Sequence, residues 1–257
     1  MDSASPRSSR EPAAGRLHFR PRPSTGTSAG REVSLGLGRE RDGVLYVPDT
    51  AERGAPVMLL FHGGGGTGRH ALRTVLSAAD RYGVVVAAPD ARAETWDVIA
   101  SGSAGPDADV AGQVLDRVAD TCDVDFDRLA AGGMSDGASY ALSIGVTNGD
   151  AFSSIVAFSP GFVSTPAIVG RPRVFISHGT HDRVLPIDLC GRRLAAGLSS
   201  DGYPVTFHEF DGGHSVPPEV VGVGFRWWLQ RSSAFDGILA RPAEPGDPGP
   251  QARGPTP

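Results

Sequence analysis

At 257 residues, with 40% hydrophobic, 21% charged and 7% aromatic content, the chain can build one sizeable core and has an ordinary globular composition. A net charge of -5 and a pI of about 5.8 offer no basic footprint for nucleic acid or an anionic membrane, and no segment approaches the ~20 apolar residues of a membrane span. Cys122 and Cys190 are too few for a disulfide framework and lack metal-like spacing; the first thirty residues contain no apolar secretion signal, so cytoplasmic residence is the default expectation.

Residues 1–28 and 236–257 are rich in Pro, Gly, Ser and Arg, a composition that predicts disordered tails around one domain at 29–235. Two short strand-like runs, 33–37 and 44–47, open that domain, and a continuous apolar run follows at 57–61. His62 and the glycine-rich stretch Gly63 to Gly68 lead into a helical pattern at 69–82, a strand at 84–88 and then Asp90. The loop 91–105 carries Trp96 and Asp97. A helix at 109–121 repeats Val110, Val114, Leu115 and Val118 on one face. Beyond it come a strand at 128–131, a helix at 135–148, strands at 154–158 and 173–177, a helix at 187–200, a strand at 205–210 and a helix at 217–230. Alternating strands and helices, with the central strands apolar throughout, predict an α/β fold with a mainly parallel sheet covered on both faces.

Between the strand at 128–131 and its helix lies Gly133-Met134-Ser135-Asp136-Gly137, a G-x-S-x-G pattern in strand-turn-helix context. A serine hydroxyl is a weak nucleophile at neutral pH, so it needs a base within hydrogen-bond reach and an acid to orient that base. Among seven histidines, His214 sits on a loop between a strand and the last helix, where a base can leave the sheet. His208 falls inside a strand pattern and His18 in the first tail. The acid expected is Asp182, just beyond the strand at 173–177, where sites collect in parallel sheets; Asp188 is the alternative, in the first turn of a helix. His178, His181 and Asp182 also admit a metal-ligand reading, but no further ligand stands at zinc spacing.

The glycine stretch after His62 admits two readings. Its amides, at Gly63 and Gly64 together with that of Asp136, can serve as an oxyanion hole for a tetrahedral intermediate. Alternatively, Gly63, Gly65 and Gly68 satisfy G-x-G-x-x-G, with Asp90 at the distance expected of a ribose-binding acid, which makes a dinucleotide-binding oxidoreductase an alternative. That alternative leaves Ser135, Asp182 and His214 unexplained. An ATP-type P-loop is excluded by the lack of Gly-Lys-Ser/Thr.

Taken together, the Phe-His-Gly-Gly run at 61–64, Gly133 to Gly137, His178-Gly179 with Asp182 and Pro186, and Gly212-Gly213-His214 resemble the α/β-hydrolase superfamily, close to its phospholipase/carboxylesterase branch and the related polyhydroxybutyrate-depolymerase-like esterases. The resemblance covers roughly residues 33–230. It implies an eight-stranded sheet, antiparallel near its start, with a site at the strands' carboxyl edge and a Ser135–Asp182–His214 triad. A carboxylesterase cleaving esters of small or medium acyl groups, with no cofactor or metal, is the expected function; a catalytically silent binding module on the same fold is the alternative. The expected partner is a small-molecule ester, with no nucleic acid and no membrane span, and oligomeric state is open. Residues 159–171 are too few for a large lid. Trp96, Phe158 and Phe162 are candidate pocket residues, whereas Trp227 and Trp228 suit core packing. Asp136 departs from the neutral residue common after the nucleophile, and an orientation away from the oxyanion is the arrangement that would leave catalysis undisturbed.

Overall fold

The strand β3 (Ala55–Phe61) is buried at all seven positions, and its side chains divide by the period of two that a pleated strand imposes. Val57, Leu59 and Phe61 enter one core, while Met58 and Leu60 enter the other. The same division holds in β4 (Val85–Pro89) and β6 (Ser154–Phe158), so the sheet is a wall between two hydrophobic layers. This computed structural model describes residues 15–20, 31–38, 40–103 and 105–230.

Eight strands complete the sheet, with β1 (Arg31–Ser34), β2 (Gly43–Val47), β5 (Val124–Met134), β7 (Arg173–Gly179) and β8 (Val205–Phe210) joining those above in the order β1-β2-β4-β3-β5-β6-β7-β8. The β1–β2 and β2–β4 pairs are antiparallel, and every later pair is parallel. This is the expected eight-stranded α/β-hydrolase arrangement. On one face lie α1 (Gly68–Tyr82) and α6 (Pro218–Leu229), which contribute Leu72, Val75, Phe225 and Trp228 to their core. The other face carries α2 (Asp97–Ser101), α3 (Pro106–Thr121), α4 (Asp136–Thr147) and α5 (Gly191–Ser200), with Val98, Val114, Tyr140 and Leu194 in the second core.

Local chemistry fixes both ends of α1. Thr67 caps α1 by accepting the His70 amide at 3.2 Å, and Gly83 ends it in the left-handed region at φ 64°. The helix α4 is apolar around most of its circumference and is buried from Gly137 to Thr147, which is the environment such a helix requires. Its hydroxyls on Ser139, Ser143 and Thr147 donate to carbonyls one turn earlier, so they add no unsatisfied groups to the core.

Residues 15–20 correct part of the expectation of a disordered first tail. Leu17 is buried, its amide donates to Asn148 Oδ1 at 2.8 Å, and Arg16 pairs with Asp150 at 2.7 Å. The remainder of that expectation, and the C-terminal tail at 236–257, lie outside the described residues. No described helix is long and apolar enough to cross a membrane.

Candidate active site

Ser135 sits between β5 and α4 with φ 56° and ψ -120°, a conformation costly for any residue with a side chain. The elbow glycines explain how it is accommodated. A Cβ on Gly133 would stand 2.2 Å from the Gly137 carbonyl oxygen, and one on Gly137 would stand 2.1 Å from that of Phe61. Both contacts are impossible, so strand, turn and helix can close this tightly only with glycine at each position.

The loops after β7 and β8 meet this turn. His214 Nε2 lies 2.9 Å from Ser135 Oγ, and His214 Nδ1 lies 2.7 Å from Asp182 Oδ2. Asp182 Oδ1 accepts the amides of Val184 and Leu185 at 2.9 and 2.8 Å. Burial pushes the Asp182 carboxyl up, but the Leu185 amide, His214 and the Val184 amide together outweigh it and hold it below the usual carboxylate range. An ionised Asp182 requires the proton on Nδ1, leaving Nε2 to accept from the serine hydroxyl. The two loops can approach because Gly179 carries no Cβ, which would stand 2.4 Å from the Gly212 and Gly213 carbonyl oxygens.

Behind Asp182 stands His178, fully buried, with Nε2 2.7 Å from the Leu185 carbonyl and 3.3 Å from Asp182 Oδ2. His181 is exposed and faces Asp211 at 3.1 Å, so the two histidines do not converge as metal ligands. Asp188 is exposed and paired with Arg192 at 2.7 Å, far from the role considered for it. His208 packs on the Phe175 ring within the sheet.

Opposite the serine, the glycine loop is fastened from three sides. His62 Nδ1 donates to the Gly63 carbonyl at 2.7 Å, while its Nε2 accepts the Ala91 amide at 2.9 Å. Burial lowers the pKa of His62, consistent with this neutral form. Arg41 reaches the Ala91 and Gly66 carbonyls at 2.7 and 3.0 Å, and the Gly65 amide donates to the Glu94 carbonyl at 2.8 Å. A Cβ on Gly63 would lie 3.5 Å from Ser135 Cβ, so this backbone runs directly past the serine. The Asp136 amide, at the first position of α4, has no intrahelical acceptor.

A cavity of about 280 Å³ opens at Ser135 and His214, walled by Leu60, Met134, Phe158 and the α1 residues His70, Ala71, Thr74 and Val75. The family model described as "Putative esterase" matches residues 34–190, the segment that carries both the glycine loop and the serine elbow. The chain belongs to this esterase family. Among curated proteins, "Putative esterase NocK" of Nocardia uniformis subsp. tsuyamanensis is 31% identical over 175 residues, covering 63% of this chain and 51% of that protein. The match thus spans about half the length of that relative. Among solved structures, the S-formylglutathione hydrolase FrmB of Staphylococcus aureus shares 16% identity at a TM-score of 0.63, covering 78% of this chain and 96% of that one. A Bacillus cereus carboxylesterase shares 22% identity at a TM-score of 0.54, over 69% of this chain and 89% of that one. These structures share the esterase fold.

Membership in the esterase family sits with a different role for the G-x-G-x-x-G pattern. Asp90 Oδ1 accepts the Gly68 amide at 2.6 Å, so the carboxylate caps α1 instead of standing open to a ribose. Gly68 is required because a Cβ there would fall 1.9 Å from the Ala88 carbonyl oxygen. Two pocket expectations are also corrected. Trp96 is buried, stacks on Tyr140 with ring centroids 4.8 Å apart and donates Nε1 to the His62 carbonyl, so it pins the loop onto the esterase body and does not line the cavity. Phe162 packs against the core on the α4 side, its amide bonded to Ser139 Oγ, and is likewise outside the cavity wall. Phe158 stands in that wall. Sequence reading missed the wall formed by α1, whose signal is the i, i+3, i+4 spacing of Ala71, Thr74 and Val75 on the first helix after the glycine loop.

Proposed function

We propose that the chain is a serine carboxylesterase, a single hydrolase domain over 29–235 that cleaves small-molecule esters of small or medium acyl groups. The observation that carries this reading is the unbroken relay from Ser135 Oγ through His214 to Asp182, with steps of 2.9 and 2.7 Å. Ser135 Oγ attacks the ester carbonyl carbon while its proton passes to His214 Nε2. Asp182 holds the imidazole in the receptive tautomer and stabilises the imidazolium. The carbonyl oxygen becomes an oxyanion held by the amides of Gly64, Gly63 and Asp136; losing one such donor typically costs about 2.7–4 kcal/mol of transition-state stabilisation. Collapse breaks the bond to the alcohol oxygen, which takes the proton from His214 and leaves an acyl-enzyme. Water, deprotonated by the same imidazole, then releases the acid and restores Ser135.

The fastening of the glycine loop by His62, Arg41 and Glu94 supports this reading over a silent binding module, because donors must be fixed before charge develops. The cavity, about 280 Å³, is at the lower edge of the ~300–1,000 Å³ typical of ligand pockets and suits a small or medium group. Ser135→Ala is expected to abolish hydrolysis of p-nitrophenyl butyrate, with a melting temperature close to the parent's. Undiminished turnover in that variant rules the mechanism out.

A further inference from the structure

Asp136 follows the nucleophile directly, and its carboxylate does not turn away from the glycine loop. Oδ2 accepts a hydrogen bond from Thr95 Oγ1 at 2.7 Å and lies 2.7 Å from where a Cβ on Gly64 would stand. Among the described residues it has no ion-pair partner, and it is only half-buried. The guanidinium of Arg41 donates to the carbonyls of Ala91 and Gly66 and makes no ion pair with Asp136, although it keeps its positive charge. The cavity on the other side of the loop is lined by no Asp, Glu, Lys or Arg; its titratable residues are His62, His70 and His214. Asp182 is buried behind His214, and Asp90, the other carboxylate near His62, accepts the Gly68 amide at the start of α1.

From this placement we infer that Asp136 is a charge-selecting residue: it favours esters that carry an ammonium group over neutral ones and disfavours esters that carry a second carboxylate. The inference rests on the esterase reading above. Asparagine fills the same volume and its amide oxygen can still accept the Thr95 hydrogen bond, so the substitution chiefly removes the charge. The amino end of α4 makes the carboxylate tolerable at this position without removing its field from the substrate. Acting across the glycine loop, a partly solvated charge about 6 Å from a substrate charge would be worth roughly tenfold in rate, and salt screens it.

The test compares matched esters that differ only in charge. On the alcohol side these are choline butyrate and 3,3-dimethylbutyl butyrate. On the acyl side they are p-nitrophenyl esters of 4-(trimethylammonio)butyrate, 5,5-dimethylhexanoate and monoionised glutarate. At low ionic strength the cationic member of at least one series should exceed its neutral partner in kcat/KM by about tenfold, and the glutarate ester should fall below the neutral acyl ester. Asp136→Asn should bring these ratios close to one. The parent in 0.5 M NaCl should lose much of the preference, an observation independent of how the variant folds. Ratios near one in the parent for both series, or a preference that Asp136→Asn leaves intact, overturn the inference. Failure to hydrolyse any neutral ester through Ser135 contradicts the esterase reading itself and this inference with it.

Discussion

Ser135 holds a positive φ that a glycine would adopt freely. Such strain costs on the order of 1–3 kcal/mol, against a chain-entropy penalty of ~0.5–1 kcal/mol for a glycine. Ser135→Gly should therefore melt a few degrees above Ser135→Ala while both are inactive; equal or lower melting of the glycine variant contradicts the strain. Asp182 gives a second expectation. Its carboxyl is held below the ordinary value of ~3.9, so folding favours the ionised form. The stability this contributes is present in full above about pH 4 and is lost as pH falls through the lowered folded value. The melting difference between the parent and Asp182→Asn should accordingly shrink as pH falls below about 4. Ser135, Asp182 and His214 were legible in the sequence because each follows a strand on a loop with its own glycine or turn signature. Thr95 and Arg41 were not, since each acts through a partner distant in sequence, Asp136 and Gly66.

The glycines separate into those that permit contact and those that merely weaken an element. Gly137→Ala forces a Cβ onto the Phe61 carbonyl and should cost more than about 3 kcal/mol, read by denaturant unfolding. In α5 and α6, Gly197 and Gly222 face open space, and alanine at either should stabilise by about 0.5–1 kcal/mol. The strands β6 and β8 were read to the residue because turn residues bound short apolar or alternating runs. The start of β5 was missed, since Val124 to Arg128 includes two aspartates and is only partly buried. The helix α2 was missed because five residues cannot display a period. Leu35, read as strand, instead turns into the core just past the end of β1, ahead of Gly36 at φ 72°.

At the level of the whole molecule, residues 15–20 are fastened to the end of α4 remote from Ser135, through Thr147, Asn148 and Asp150. They also pass close to α3, where a Cβ on Gly112 would stand 2.6 Å from the His18 carbonyl oxygen. Removing residues 1–20 should lower the melting temperature by several degrees, since it exposes the surface under Leu17, while kcat/KM on p-nitrophenyl butyrate stays within about twofold of the parent. A composition poor in apolar residues concealed this segment, which is anchored by Leu17 and Phe19, by the Arg16 guanidinium on Asp150 and by the Arg20 backbone amide, which donates to Asp116. The alternation of strands and helices made a mainly parallel, doubly covered sheet legible, and the family resemblance implied its eight strands and antiparallel start; the exchanged order of β3 and β4 carried no local signal.

The proposed acyl-enzyme chemistry is tested most directly by treating the protein with a fluorophosphonate and mapping the adduct by mass spectrometry. The account predicts one phosphonyl group on Ser135, loss of esterase activity in step with its incorporation, and labelling slowed by at least a hundredfold in His214→Ala. No adduct on Ser135, or full ester hydrolysis by protein labelled there, would contradict it.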